Sequence, residues 1–357
     1  MNKIKFAATA TAAVLAVWIL VKAPSGAAQT KVETAGQKFK SIRVLNDMPA
    51  DQMGKVMNMM SASLGVDCKV CHASNDGDYD KEGNENKDTA RKMMRMMFDL
   101  NKANFNGRPE INCNTCHNGR SHPQPSFPLG VAAKQAERPV QPATRPAGDQ
   151  IAAKFEAAIG ATSAKKIGPL KITGIRLEPD GKTTEPETIW IKDGKYAAET
   201  LYGSNAVKEI FDGTRGRKFA GVAEVELKPD EAEQIKRDAE LLTGVSLKTI
   251  YTKLEFRAVD RIDGRDVNVV FATKQNNLRE RLSFDVATGL LVRRTASTPT
   301  LFGNFVYQVD YADYKPFNGI KMPTTIHYSV PHISWTRKIT AVKAGPVDDP
   351  VFTAAGK

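Results

Sequence analysis

Two pentapeptides, Cys68-Lys-Val-Cys-His72 and Cys113-Asn-Thr-Cys-His117, hold all four cysteines of this 357-residue chain. A Cys-x-x-Cys unit alone could be a disulfide, a redox dithiol or half a zinc site. The histidine directly after each second cysteine narrows the choice. Two thiols at that spacing can meet the two vinyl groups on one edge of a porphyrin. An imidazole placed by the same turn then reaches the iron. Two copies that use every cysteine point to two covalently attached haem c groups. One sits on Cys68 and Cys71 with His72 as proximal iron ligand, the other on Cys113 and Cys116 with His117.

The first 28 residues have a different composition. Lys3 and Lys5 precede the apolar run Phe6 to Val21, and the small-residue stretch 23–28 follows Lys22. That order is the one of a secretory leader, with cleavage after Ala28. The run has sixteen residues, short of the about twenty needed to cross a bilayer. An uncleaved N-terminal membrane anchor is therefore the second reading. Export to the periplasm is the expectation under both. The net charge is +11, but Lys and Arg alternate with Asp and Glu, and no basic stripe suits nucleic acid.

Nine of the eleven methionines lie between Met48 and Met97. Met53, Met57, Met60 and Leu64 share one face of an expected helix, with Asp47 capping it, Pro49 in its first turn and Met59 off the face. A second helix over 89–101 sets Met93, Met96, Met97 and Leu100 on one stripe. Helix, turn and attachment motif thus occur twice, as an internal repeat. Methionine is also an adaptable core filler, and periodicity does not choose one Met from each stripe. Between the motifs, the Asp76-x-Asp78-x-Asp80 spacing suggests calcium. Lys81 stands where an EF-hand loop needs Gly, so a solvated acidic loop is preferred.

Residues 38–128 resemble the cytochrome c subunit of photosynthetic reaction centres. The stretches that carry the resemblance are Phe39 to Met53, Met59 to His72, Ala90 to Met96 and Asn112 to Gly119. The resemblance implies a helix methionine as the sixth iron ligand of each haem. It matches Met57 for the first haem and Met93 for the second, with Met96 as runner-up and His122 a weaker alternative. The family has four haems and often a lipidated N-terminal cysteine, whereas this chain has two motifs and no such cysteine.

A Pro-rich stretch begins near Ser121, and residues 129–148 read as a semi-extended linker. From 149 the texture changes to a helix over 149–159, many strands, and a second helix over 229–242. Hairpin signals recur around Asp263-Gly264, 284–292 and Asn318-Gly319. Residues 149–357 resemble the outer-membrane lipoprotein-sorting fold, carried by the strand pair at Asp263-Gly264, by 282–294 and by 309–323. The expected fold class is multidomain. A leader (1–28) precedes a small, mostly α dihaem domain (29–128), the linker, and an α+β domain whose curved antiparallel half-barrel wraps helices. The resemblance implies a concave face able to hold acyl chains, and a filled half-barrel used for docking is the competing expectation. His327 and His332 have no matched acid or nucleophile, so no catalytic residue is assigned.

The reading is an exported dihaem cytochrome that moves electrons between membrane-associated redox partner proteins. Thioether ligation raises the potential, and a closed sixth position suppresses peroxide chemistry. Two alternatives stand beside it: a peroxidase-like enzyme with one five-coordinate haem, and a carrier of lipid or lipoprotein with a haem module.

Overall fold

The computed structural model describes residues 32–72, 79–124, 139–161 and 168–353. The expected leader, Asp76 and Asp78, and residues 129–138 of the linker lie outside these. Among the described residues, no helix is long and apolar enough to cross a membrane.

Helices dominate residues 32–124. They are α1 (Ala35–Lys38), α2 (Met53–Leu64), α3 (Glu85–Phe105) and α4 (Cys113–His117). The start of α2 lies later than the capping pattern predicts. Pro49 pairs with Thr34 in an isolated β-bridge, and a 3-10 turn over Ala50–Gln52 leads into the helix. The helix α3 is longer than expected at both ends. The Asn84 side chain caps it by accepting from the Asn86 N–H, and Asn106 in the left-handed region ends it. Tyr79 to Asn84 therefore form the lead-in to α3.

Among the described residues that follow, thirteen antiparallel strands form one sheet. Its first half is β1 (Leu170–Leu177), β2 (Thr184–Lys192), β3 (Lys195–Tyr202), β4 (Asn205–Phe211), β5 (Gly216–Ala220) and β6 (Ala223–Glu226). Its second half is β7 (Lys253–Ile262), β8 (Arg265–Thr273), β9 (Arg279–Asp285), β10 (Leu291–Thr300), β11 (Gly303–Phe317), β12 (Ile320–Ser329) and β13 (Ser334–Ala344). The order is β6-β5-β4-β3-β2-β1-β13-β12-β11-β10-β9-β8-β7, so β6 and β7 are the free edges and the sheet does not close. Asp263-Gly264 and Asn318-Gly319 join their strands as two-residue turns, with positive φ at both positions of each. Primed turns of this kind match the twist of the strands they connect.

Three helices accompany the sheet: α5 (Gly148–Ile159), α6 (Pro229–Leu242) and α7 (Leu247–Ile250). The helix α6 packs on β3, β4 and β5 and also holds Arg294 of β10 through Gln234 (2.6 Å). The strands β4 and β10 are seven places apart, which is about 34 Å across a flat sheet. A helix about 10–12 Å wide can touch both only if the sheet curves around it. The curved face buries the main core, including Phe155, Ile172, Ile189, Leu242, Leu282, Phe284 and Ile326.

Charged groups also fill this concavity. Arg337 forks onto Glu187 at 2.6 and 2.9 Å, both side chains under 5% exposed. Asp238 of α6 accepts from the Tyr328 hydroxyl at 2.7 Å and lies beside Arg294. Glu280 gathers Lys274, Arg237 and Arg294 and accepts from Tyr251. Burial pushes the Asp238 carboxyl up, whereas Arg294, Lys274 and Arg237 hold Glu280 down against its own burial. Paired in this way, charges can occupy an interior that would reject them singly.

Candidate haem-attachment site

The two motifs adopt different turns. Residues Cys68–Val70 form a 3-10 turn, whereas Cys113–His117 is a short α-helix opened by the Asn112/Thr115 capping box. Both bring paired thiols and an imidazole to one turn of chain, and all four cysteines are unbridged. Among the described residues, no three of His, Cys, Asp and Glu converge on a metal-sized site.

Each imidazole is aimed by a backbone carbonyl. The Nδ1 of His72 lies 3.1 Å from the Tyr79 oxygen, and the Nδ1 of His117 lies 3.0 Å from the Arg120 oxygen. A proton on Nδ1 satisfies each carbonyl and leaves Nε2 as the free donor, the tautomer that a metal-ligating histidine uses. Burial pushes the His72 imidazole down, which favours its neutral form. Tyr79 also meets the His72 ring edge-on, with centroids 5.2 Å apart. The residues present thus fit covalent haem: two thiols and one oriented nitrogen at each motif. Burial pushes the Cys71 and Cys113 thiols up.

The methionine stripes divide differently from the sequence expectation. On α3 the buried face is Arg91, Met94, Met97 and Asn101, while Met93, Met96 and Leu100 form an adjacent stripe, each 39–46% exposed. Met97 belongs to the core rather than to the outer stripe. Methionine at four of five consecutive positions gives the periodicity no contrast, and polar anchors decide the rotation of the helix. Arg91 donates to both Glu82 oxygens at 2.7 Å, to Asp88 at 2.8 Å and to the Ser41 carbonyl at 3.0 Å. Asn101 pairs with the backbone of Ile111 in both directions, at 2.7 and 2.9 Å, and so fixes the chain just before Cys113. Met93 and Met96 stand on the exposed stripe of α3, outside the core. On α2, Met53, Met57, Met59 and Met60 are all half-buried against a small core of Leu45, Met48, Val56, Met94, Met97 and Phe302. His122 is exposed, and His327 is half-buried beside the Thr336 hydroxyl at 2.8 Å.

The two motif regions meet backbone to backbone. The Gly119 N–H donates to the Ser63 carbonyl at 2.8 Å. A Cβ on Gly65, whose φ is +62°, would stand 2.2 Å from the Gly119 oxygen. Glycine at 65 is thus required twice, for its left-handed backbone and for the close approach.

Sequence reasoning missed Glu82, Asn101 and Phe302, and took Arg91 only as part of the stretch that carries the resemblance. Only Phe302 left a signal, as part of an apolar Leu301-Phe302 pair at a hairpin tip where turns are ordinarily polar.

Helices and two Cys-x-x-Cys-His turns thus stand beside an open curved sheet. Residues 5–158 match the family described as the photosynthetic reaction centre cytochrome C subunit, and this part of the chain resembles that family. Over 101 residues the chain is 31% identical to the photosynthetic reaction center cytochrome c subunit of Roseobacter denitrificans. That stretch is 26% of this chain and 27% of the relative, so the chain spans about a quarter of the length of the curated relative it matches.

The sheet domain is similar to a LolA superfamily protein from Nitrosomonas europaea, at 12% identity and a TM-score of 0.41. That match covers 58% of this chain and 98% of that one. A domain from Vibrio parahaemolyticus described as an outer membrane lipoprotein-sorting protein is similar at 11% identity, also with a TM-score of 0.41. It covers 58% of this chain and 96% of that one.

Proposed function

We propose that the chain is an exported dihaem cytochrome that passes electrons between membrane-associated redox partners through two His/Met-ligated haems. In this reading Cys68 and Cys71 hold one haem and Cys113 and Cys116 the other. His72 and Met57 close the first iron, and His117 and Met93 close the second. When bound, each haem supplies a one-electron ferric/ferrous couple. The residues around it hold the imidazole tautomer, exclude water and keep the sixth position closed. The single observation that carries the reading is the repeated donor set: two thiols and one carbonyl-aimed imidazole per motif, beside two methionine-bearing helices. Thioether ligation raises the potential and leaves no open coordination position for peroxide. The proposed domain limits are 1–28, 29–128, 129–148 and 149–357, with the first removed or kept as an anchor in the periplasm.

The mass of the intact mature chain tests the count of haems. Two haems per polypeptide and a low-spin ferric spectrum are expected. A high-spin ferric haem that binds cyanide on mixing would instead support the peroxidase-like reading for that site.

The carrier reading has less support. The face that would take acyl chains is occupied by α5, α6 and the Glu187–Arg337 and Glu280 networks. Lipid extraction of the purified full-length protein is expected to yield no stoichiometric lipid.

A further inference from the structure

The small core of the haem-bearing half contains one residue that does not belong to it in sequence. Leu301-Phe302 connects β10 to β11. Leu301 faces outward at 44% exposure, whereas Phe302 is 1% exposed among Met94, Met97 and Val56. The Phe302 ring meets Phe98 of α3 nearly edge-on, with centroids 5.7 Å apart. The turn that delivers it is internally braced: the Thr300 hydroxyl donates to the Gly303 carbonyl at 2.7 Å and accepts from the Phe302 N–H at 3.1 Å. The same hydroxyl lies 3.6 Å from the Met59 sulfur on α2. On its other side the turn abuts the approach to the second motif. A Cβ at Gly303 would lie 3.5 Å from the Asn112 amide nitrogen and 3.8 Å from the Pro109 carbonyl.

Polar contacts fix the hairpin in place around this insertion. Lys55 of α2, almost buried, pairs with Asp230 at the start of α6 at 3.0 Å, and Thr298 of β10 donates to the same carboxylate at 3.1 Å. Lys228 donates to the Asp51 carbonyl at 2.7 Å, and the His332 N–H donates to Asn58 at 3.1 Å. A docking surface between independent domains is more polar than an obligate interface. Here an aromatic side chain of one half completes the hydrophobic core of the other.

We propose that Phe302 is a positioning residue of the haem module, lent by the sheet domain to pack the start of the second attachment turn at Cys113 and to hold α3 against α2. The proposal rests on the reading of the chain as a two-haem electron relay, and it gives the β domain a part in that relay. Solvent access and the apolar shell around a metal site set its potential and its openness to external ligands. Removing the ring should therefore act most strongly on the haem at Cys113 and Cys116, whose approach the hairpin abuts, and less on the haem at Cys68 and Cys71, whose ligand Met57 borders the same core from α2.

The test is spectroelectrochemical titration of full-length holoprotein in wild-type, Phe302→Ala and Phe302→Leu forms, with cyanide binding and amide exchange measured in parallel. The expected result is a larger downward shift of one midpoint potential than of the other, cyanide binding accelerated more at one haem, and exchange accelerated more over 109–117 than over 65–72. Phe302→Leu, which keeps most of the apolar volume and should fold, is expected to show the same changes at smaller size. Potentials, cyanide access and exchange all at wild-type values in the variants overturn the proposal. So does an equal change at both haems, which would mark a general loss of stability. A wild-type protein whose haems are high-spin would overturn the relay reading instead, so the two failures are distinguishable.

Discussion

At the residue scale, the polar side chains Arg91 and Asn101 set the rotation of α3 and so decide which methionines remain outside the core. Arg91 is pulled inward by Glu82, and the Arg91 guanidinium in turn holds the Glu82 carboxyl at about 2, well below its ordinary 4.5. A carboxyl depressed in the folded state contributes stability that is fully present above its ordinary value and is lost as pH falls through the folded one. The latch should therefore hold at neutral pH and weaken between about pH 4.5 and 2. Acid unfolding followed by the haem absorption band checks this, and Glu82→Gln is expected to move the midpoint to higher pH. None of this was legible in the sequence. Glu82 and Arg91 are nine residues apart across a turn and Asn101 and Ile111 are ten apart, spacings that no helical or strand period singles out.

At the element scale, the close approach of the two motif regions makes a sharper demand. Gly65→Ala would add left-handed strain and drive a methyl group into the Gly119 carbonyl. The strain alone costs about 1 kcal/mol or more, and the clash adds to it. A lowered thermal midpoint is expected, with fewer chains carrying both haems, read from intact mass. The sheet elements were more legible than the helix faces. Asp263-Gly264 and Asn318-Gly319 carry their turn chemistry in two adjacent residues, and α6 runs from its Pro229 to Leu242 as the capping signals predict. The face of α3 was not legible, because Met93, Met94, Met96 and Met97 are chemically alike and offer the periodicity nothing to distinguish. The start of α2 was misjudged because Pro49 serves a bridge to Thr34, a partner fifteen residues upstream that only the fold brings near.

At the scale of the whole molecule, the curved sheet is held by charge as well as by apolar packing. Glu187 on β2 and Arg337 on β13 lie on opposite sides of β1 in the strand order and bond across it through the concave interior. Removing one partner leaves the other buried and uncompensated, at about 3–5 kcal/mol. Glu187→Leu should therefore unfold at markedly lower urea, followed by the fluorescence of Trp335, which stacks on Tyr328 at 4.1 Å. The paired thiols and the histidine of each motif stand side by side in the sequence and needed no folded chain to bring them together. The joining of the two halves was not legible, because Lys55 and Asp230, or Phe98 and Phe302, are brought together only by the folded chain. The function proposed for the whole depends on closed coordination at both irons. The charge-transfer band between a thioether sulfur and ferric iron, quantified per haem in wild-type, Met57→Ala and Met93→Ala proteins, tests it most directly. Two equivalents in the wild type and the loss of one in each variant are expected. A wild-type protein without the band, or variants that both retain two equivalents, would contradict the account.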